Sequence, residues 1–494
     1  MSYRLAFAYK QGDGYFKNDF LGIDDGNEQE QISGQGKLVF DIAQDSRLTL
    51  ELLLDKFDDG FDAYSLTGDY HTTNNESGYN DGHLMSPILT WEKEIGSMKL
   101  TSITNYSHSN YGMLQDWDFA RYDAVTGEYD ETYKTLTQEL RLNGKTDSGL
   151  QWLGGLFLMT EDHDMETIVR MGQDAGPSAG MVMGQNSTLT SRNAALFGQF
   201  TWPVSAKVEI SGGLRLDYSR KELDWRNFSN MPMPVVHKDF TDDWFALLPS
   251  FSISWLPAKE HRAYLSVVRG YKEGDYNCVE PNPATVSKAV DPEYTITYEA
   301  GYKGLFADRR VELNLAAFYI KWKDMQVDVV DLDNVQQLKK ENAAEAHSSG
   351  LELEARMRLT RGLTAFFNAG YMLDYEFDEF ITAKSGQIID LKGNLLPKTN
   401  EYTVNTGFIY RHSSGIFAAA DVSFMGPKYF THLNEMKQDA YTLLNAKVGY
   451  EAQNWSVSVF GRNLLDEKHI ISTFGRAKMT AEPLVVGIQA SSYF

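Results

Sequence analysis

The sequence of 494 residues holds one cysteine, Cys278, which excludes an intramolecular disulfide and any cysteine-built metal cluster. Long apolar runs are absent too. The nearest candidate, residues 244–258, is uncharged but is broken by Pro249, Pro257 and three serines, and it falls short of the roughly 18 residues that a membrane-crossing helix needs. Basic residues are in deficit: 46 Lys plus Arg face 68 Asp plus Glu, for a net charge of −22. That balance speaks against nucleic-acid binding, where phosphate contacts require a basic surface. The first ten residues lack the basic segment and apolar run of a signal peptide, so the sequence reads either as cytoplasmic or as the continuation of a longer chain. Aromatics, in contrast, are plentiful: 27 Tyr, 27 Phe and 9 Trp place the chain among folded proteins. A transmembrane β-barrel remains open, because alternating lipid-facing and lumen-facing residues leave mean hydropathy unremarkable.

Period-2 alternation sets the expected fold class, since successive side chains of a strand point to opposite faces. Tyr3, Leu5, Phe7 and Tyr9 alternate with Arg4, Ala6, Ala8 and Lys10. Tyr294, Ile296, Tyr298, Ala300 and Tyr302 alternate with Thr295, Thr297, Glu299, Gly301 and Lys303. Leu351, Leu353, Ala355 and Met357 alternate with Glu352, Glu354, Arg356 and Arg358. A helix would scatter these charges around its circumference. About 20 such segments are expected, most near the 9–11 residues of a tilted spanning strand.

The connections carry further information. Short links are expected at 44–46, 94–97, 143–149, 203–206, 257–261, 305–309, 359–362, 412–415 and 451–454. Between them lie long polar stretches at 11–30, 58–83, 108–132, 160–192, 219–243, 272–291, 323–346, 373–401, 426–439 and 465–483. Strict alternation of short and long is the pattern of an up-and-down outer-membrane barrel, with turns at one end and loops at the other. A β-propeller would instead show repeats of about 40–50 residues, and the sequence has none. The fold is therefore expected to be all-β, a large antiparallel up-and-down transmembrane β-barrel. Trp91, Tyr106, Trp152, Trp202, Tyr218, Trp255, Tyr371, Tyr410, Tyr450 and Trp455 fall near strand ends, as interfacial girdles do. Asp58, Asp59, Asp62, Asp116, Asp118, Asp123, Glu128, Asp130 and Glu131 are expected in solvated loops.

An ordered set of segments then resembles one family. It comprises Leu100-Thr-Ser-Ile-Thr-Asn105 before Tyr106, Thr137-Gln-Glu-Leu-Arg-Leu142 leading to Trp152-Leu-Gly-Gly-Leu156, and Arg269-Gly-Tyr-Lys-Glu-Gly-Asp-Tyr-Asn277. Pro292-Glu293, Tyr298-Glu-Ala-Gly-Tyr-Lys-Gly304, Asn314-Leu-Ala-Ala-Phe-Tyr319 and Ser349-Gly-Leu-Glu-Leu-Glu354 follow. Phe460-Gly-Arg-Asn-Leu-Leu-Asp466 and a terminal Phe494 complete it. Together they resemble the C-terminal barrel of TonB-dependent outer-membrane receptors, importers of ferric siderophores and other large scarce solutes. His469 and Ser492 depart from the aromatic and apolar residues usual at those places. The resemblance implies a barrel of 22 strands with a plug in its lumen, preceded by a signal peptide and a segment gripped by a TonB-type energy transducer. Residues 1–494 would then be the barrel domain, truncated at the N-terminus, with the signal peptide, plug and first strands missing. It also implies outer-membrane lipid, a ferric siderophore or similar chelate, and the barrel-assembly machinery as partners, the last reading Phe494. A passive, porin-like diffusion channel and an outer-membrane barrel hydrolase are the alternatives.

No cofactor, resident metal or catalytic residue is expected. Gly176-Pro-Ser178-Ala-Gly180 matches the G-x-S-x-G nucleophile elbow in letters only, since that elbow needs a preceding strand and a following helix. Met165, Met171, Met181 and Met183 with His163 offer soft-metal donors at loose spacing. Candidates for solute contact are Trp117, Arg121, Tyr122, Tyr271 and Tyr276, because flat aromatic faces hold planar chelates and Arg pairs with anions. Tyr271 and Tyr276 could equally serve loop folding. Glu139, Arg141, Arg215, Asp217, Glu299, Glu352, Glu354 and Arg356 are the expected lumen-facing charges, either holding the plug or forming cross-strand ion-pair ladders.

Overall fold

The computed structural model describes all residues except Asp62, 279–282, 284–285, 287–288, 332–333, 385–386 and 493–494. Among the described residues, twenty antiparallel strands form one sheet. They are β1 (Ser2–Gly12), β2 (Gln29–Ala43), β3 (Ser46–Gly60), β4 (Tyr79–Ile95) and β5 (Met98–Asp116). Next come β6 (Val125–Lys145), β7 (Gln151–Met171), β8 (Val182–Ser205), β9 (Val208–Ser229) and β10 (His237–Ala258). Then follow β11 (His261–Lys272), β12 (Glu293–Phe306), β13 (Val311–Asp331), β14 (Asn334–Arg358) and β15 (Leu363–Glu379). The last five are β16 (Tyr402–Arg411), β17 (Ile416–Met425), β18 (Tyr441–Glu451), β19 (Trp455–Arg462) and β20 (Val485–Ser492).

Each strand pairs with the next in chain order, so the sheet is a plain meander. Its two ends meet at the loop side. Lys478 and Met479, beyond β19, pair with Ser65 and Tyr64, which follow β3. The Tyr70 hydroxyl donates to the Ala481 carbonyl at 3.0 Å. Among the described residues β1 is registered only with β2, and β20 only with β19. Described residues contain no helix long and apolar enough to cross a membrane; a three-residue 3₁₀ turn, Gly176–Ser178, is the helical element they hold.

Alternation becomes physical in the pleat. On β8 and β9 the apolar Leu196, Phe200, Trp202, Leu214 and Tyr218 are exposed on the outer face. Their neighbours Ala195, Asp217 and Ser219 are buried on the inner one. The same parity puts Leu351 outward and Glu352 and Glu354 inward on β14. Close packing on the inner face demands glycine at Gly301, where a Cβ would lie 2.3 Å from the Tyr264 ring. Tyr264 uses that space to donate its hydroxyl to Glu299 at 2.6 Å. Trp202, Trp255, Tyr450 and Trp455 stand exposed near the short turns, while Tyr106, Tyr218 and Tyr371 stand farther along their strands. The two belts are separated by about 26–33 Å along tilted strands at ~3.3 Å per residue, which suits an apolar band roughly 25 Å tall.

All nine expected short links are turns. The long polar stretches are corrected in part: β5 to β10, β13 and β14 run far past the outer belt. Stretches 108–132, 160–192, 219–243 and 323–346 are largely strand, not loop. Asp58, Asp59, Asp116, Glu128, Asp130 and Glu131 accordingly sit on strands; Asp118 and Asp123 are in a loop, and Asp62 lies outside the described residues. Polarity misled because a strand above the membrane is solvated on its outer face and needs no apolar residues there. Buried apolar clusters occur where these hairpins rise: Leu189, Leu223, Trp225, Tyr276, Cys278 and Val286 form one, and Phe377, Phe380, Tyr375 and Leu391 anchor another.

Candidate functional site at the loop end

The loop end is built around ions that the strands bring inward. Lys221 on β9 follows the inward parity of Asp217 and Ser219 and is 8% exposed. Its ammonium meets Glu273 at 3.1 Å and Asp275 at 3.0 Å, on the segment after β11. Lys340 on β14 closes on the other Asp275 oxygen. Burial opposes the charge on Lys221, but Asp275 and Glu273 hold its pKa above the usual lysine value. Burial likewise disfavours the Asp275 carboxylate, yet Lys221 and Lys340 hold its pKa below the usual range. Gln326 donates to the carbonyls of Glu273 and Asp291 and ties down both ends of this loop. Three strands thus clamp one short segment.

That clamp decides the fate of two sequence candidates. Tyr276 is 2% exposed, donates to Asp242 at 2.6 Å and stacks on Phe240. Tyr271 is half-buried, shares a hydrogen bond with Ser219 and packs on Tyr294. Both serve loop packing. Cys278 is buried beside them, and burial pushes its thiol up to about 11. Trp117 is also buried, its ring held between Tyr129 and Phe474 and over Gly127, where no Cβ fits. Arg121 and Tyr122 stay exposed, with the guanidinium 5.6 Å from the ring centroid. They cap the loop joining β5 to β6. Asp116 builds that loop by accepting backbone N–H groups of Asp118, Phe119 and Asn75. Burial, then the Asp118 charge, pushes Asp116 up to about 7.

The charges expected to face the lumen alternate with the exposed apolar residues of their strands and so share the opposite face of the sheet. Arg141 pairs with Glu139, and Arg215 with Asp217 at 2.6 Å. Glu299 accepts from Tyr264, and Glu354 accepts from Asn314 at 3.2 Å; Glu352 and Arg356 share the same face of β14. Phe494 lies outside the described residues. Ser178 sits in the Gly176–Ser178 turn, away from any strand-to-helix elbow. Met165 is buried, and His163 stacks on Tyr133 at 3.9 Å. Two groupings escaped linear reading: Asp224, His237 and Asp239, and His347, Asp374 and Glu376, whose ligand atoms fall within 4.8 Å. They come from paired strands, so no spacing along one segment announces them.

A 20-stranded meander, an apolar outer band between aromatic belts and a charged inner face together define an outer-membrane β-barrel. Residues 2–464 match the family described as TonB dependent receptor-like, beta-barrel. The chain belongs to that family, a family of transport receptors of the outer membrane. It is 27% identical over 281 residues to the pesticin receptor of Yersinia pestis, covering 57% of this chain and 40% of that protein. To the metal-pseudopaline receptor CntO of Pseudomonas aeruginosa it is 25% identical over 263 residues, 52% of this chain and 34% of that one. The chain therefore spans less than half the length of these curated relatives. Among solved structures, the ferric yersiniabactin uptake receptor FyuA from Yersinia pestis superposes with a TM-score of 0.84 at 21% identity, over 98% of this chain and 74% of that one. The siderophore receptor PiuA from Acinetobacter baumannii gives 0.78 at 17% identity, over 99% and 76%. The short turns are thus periplasmic and the loops extracellular.

Proposed function

We propose that this barrel is the membrane-spanning part of a receptor for energy-dependent uptake of a ferric siderophore or a similar metal chelate, driven through a TonB-type transducer. The observation that supports this most is the family match across residues 2–464, reinforced by relatives whose names are those of siderophore and metal-chelate receptors. The exposed Arg121–Tyr122 pair offers a cation and a ring face to an anionic planar chelate arriving from outside. The inward charges, from Glu139 to Arg356, are assigned to contacts with whatever gates the lumen in the working receptor.

The test is binding of ferric catecholate, hydroxamate and phenolate chelates to the folded protein in detergent, followed by tryptophan fluorescence. Saturable quenching by one ferric class, absent with the iron-free chelator and weakened by R121Q, is the expected result. Absence of binding by every class, with a stable ohmic conductance in planar bilayers, would replace the receptor reading with a passive channel.

A further inference from the structure

We propose that the outer wall formed by β10 to β15 holds one anionic phospholipid of the inner leaflet, its acyl chains in an apolar groove and its phosphate on an arginine rim. The inference rests on the outer-membrane placement and is independent of the transported solute. The groove has a volume of about 820 Å³ and an almost wholly apolar lining. Its floor is Ala300 on β12 against Ala317 on β13, directly opposite in register. Larger residues wall this dimple: Leu265 and Leu351 on either side, Tyr302 and Leu315 on the periplasmic side. Large leucine and aromatic side chains are exposed over much of the outer surface; here the paired alanines leave a groove whose walls offer chain methylenes dispersion contacts.

The periplasmic rim below supplies the second half of the site. From Tyr302 the strand runs about 13 Å, at ~3.3 Å per residue, past exposed Phe306 to the turn at Ala307–Arg310. The neighbouring turn, 359–362, is joined to it, because the Arg358 backbone N–H donates to the Arg310 carbonyl at 2.8 Å. Lys259, Arg309, Arg310 and Arg361 are all exposed at these turns and outnumber the acids Glu260 and Asp308. Arg309 has a 3.5 Å contact to Glu260 and its side chain is 69% exposed. In a chain of net charge −22, a basic cluster beneath an apolar groove is a placed feature. Ala307, Asp308 and Arg309 all hold left-handed backbone, with φ of 51°, 55° and 63°, a conformation that costs non-glycine residues energy. Cationic side chains at the headgroup level and apolar surface above them fit a lipid phosphate with its chains attached.

The experiment is native mass spectrometry of the detergent-purified chain titrated with phosphatidylglycerol or phosphatidylcholine. One tightly retained phosphatidylglycerol is expected, with phosphatidylcholine retained far less. R309Q/R310Q/R361Q should weaken retention by roughly 100-fold, as three basic side chains at a lipid surface would. A317F, which fills the floor and leaves the rim intact, should weaken it too. Correct folding of both variants is checked by their unheated gel mobility, and chelate binding should be unchanged in both. Equal retention of the two lipids, or indifference to both variants, overturns the proposal. Displacement by inorganic phosphate alone, without need of acyl chains, also overturns it, as does a dimer that A317F dissociates, since the groove would then hold a second copy.

Discussion

Lys221 gives the sharpest test of how the extracellular wall is held together. Lys221→Met keeps the stem that packs in the wall and removes the ammonium. Glu273 then loses the cation it pairs with among the described residues, and Asp275 keeps Lys340. Breaking a buried ion pair from one side costs about 3–5 kcal/mol; with Lys340 retained, about 2–3 kcal/mol is the reasonable figure. The loss falls on the segment from Glu273 to Cys278, not on the membrane band. Cys278 reports it directly, being the single thiol, 5% exposed. If the loop opens and recloses quickly, the alkylation rate follows the open population, so about 2–3 kcal/mol means labelling roughly 30- to 150-fold faster. The measurement is the pseudo-first-order rate of iodoacetamide labelling at fixed pH, with unfolded protein as the reference. A double variant, K221M/E273Q, should recover part of the protection because it removes the acid left without a cation and leaves the Asp275–Lys340 pair in place. An unchanged rate in K221M would refute the idea that these ions hold the loop.

Asp116 sets a pH dependence whose sign follows from its raised pKa. The folded loop favours the protonated carboxyl, so its contribution is complete below the unfolded value and is lost as pH rises through about 7. Proteolysis between β5 and β6 should therefore quicken from pH 5 to pH 8, and D116N should flatten that profile. Trp225 is fully buried beside Leu223 and Cys278; Trp225→Ala should cost about 3–5 kcal/mol, read as a lower melting temperature and faster Cys278 labelling. Leu196→Arg, on the lipid face of β8, should destabilise the barrel by about 2–4 kcal/mol in urea titrations in lipid vesicles. Gln199→Arg, on the inner face of the same strand, should leave the midpoint nearly unchanged.

Much of this was legible in the residues themselves. Alternation of Tyr294–Tyr302 and Leu351–Met357 carries strand identity and face, because the pleat has a period of two wherever the strand lies. The nine turns were legible because a barrel's tight turns tolerate few residues and favour small or polar ones. Hairpin height was not: residues 160–192 are polar because water wets them, and that is equally true of a loop and of a strand above the membrane. The site was legible only as a list of residue types. Whether Trp117 and Tyr276 offer a face or bury it depends on Phe474 and Asp242, which meet them from distant parts of the chain. The Lys221–Asp275–Lys340 clamp and the alanine floor of the groove likewise arise from register between strands. Sequence by itself fixes periodicity, a property of neighbours along the chain; only the tertiary structure decides which charges and gaps face one another, because hydrogen-bonded pairing across the sheet joins residues that the chain keeps apart.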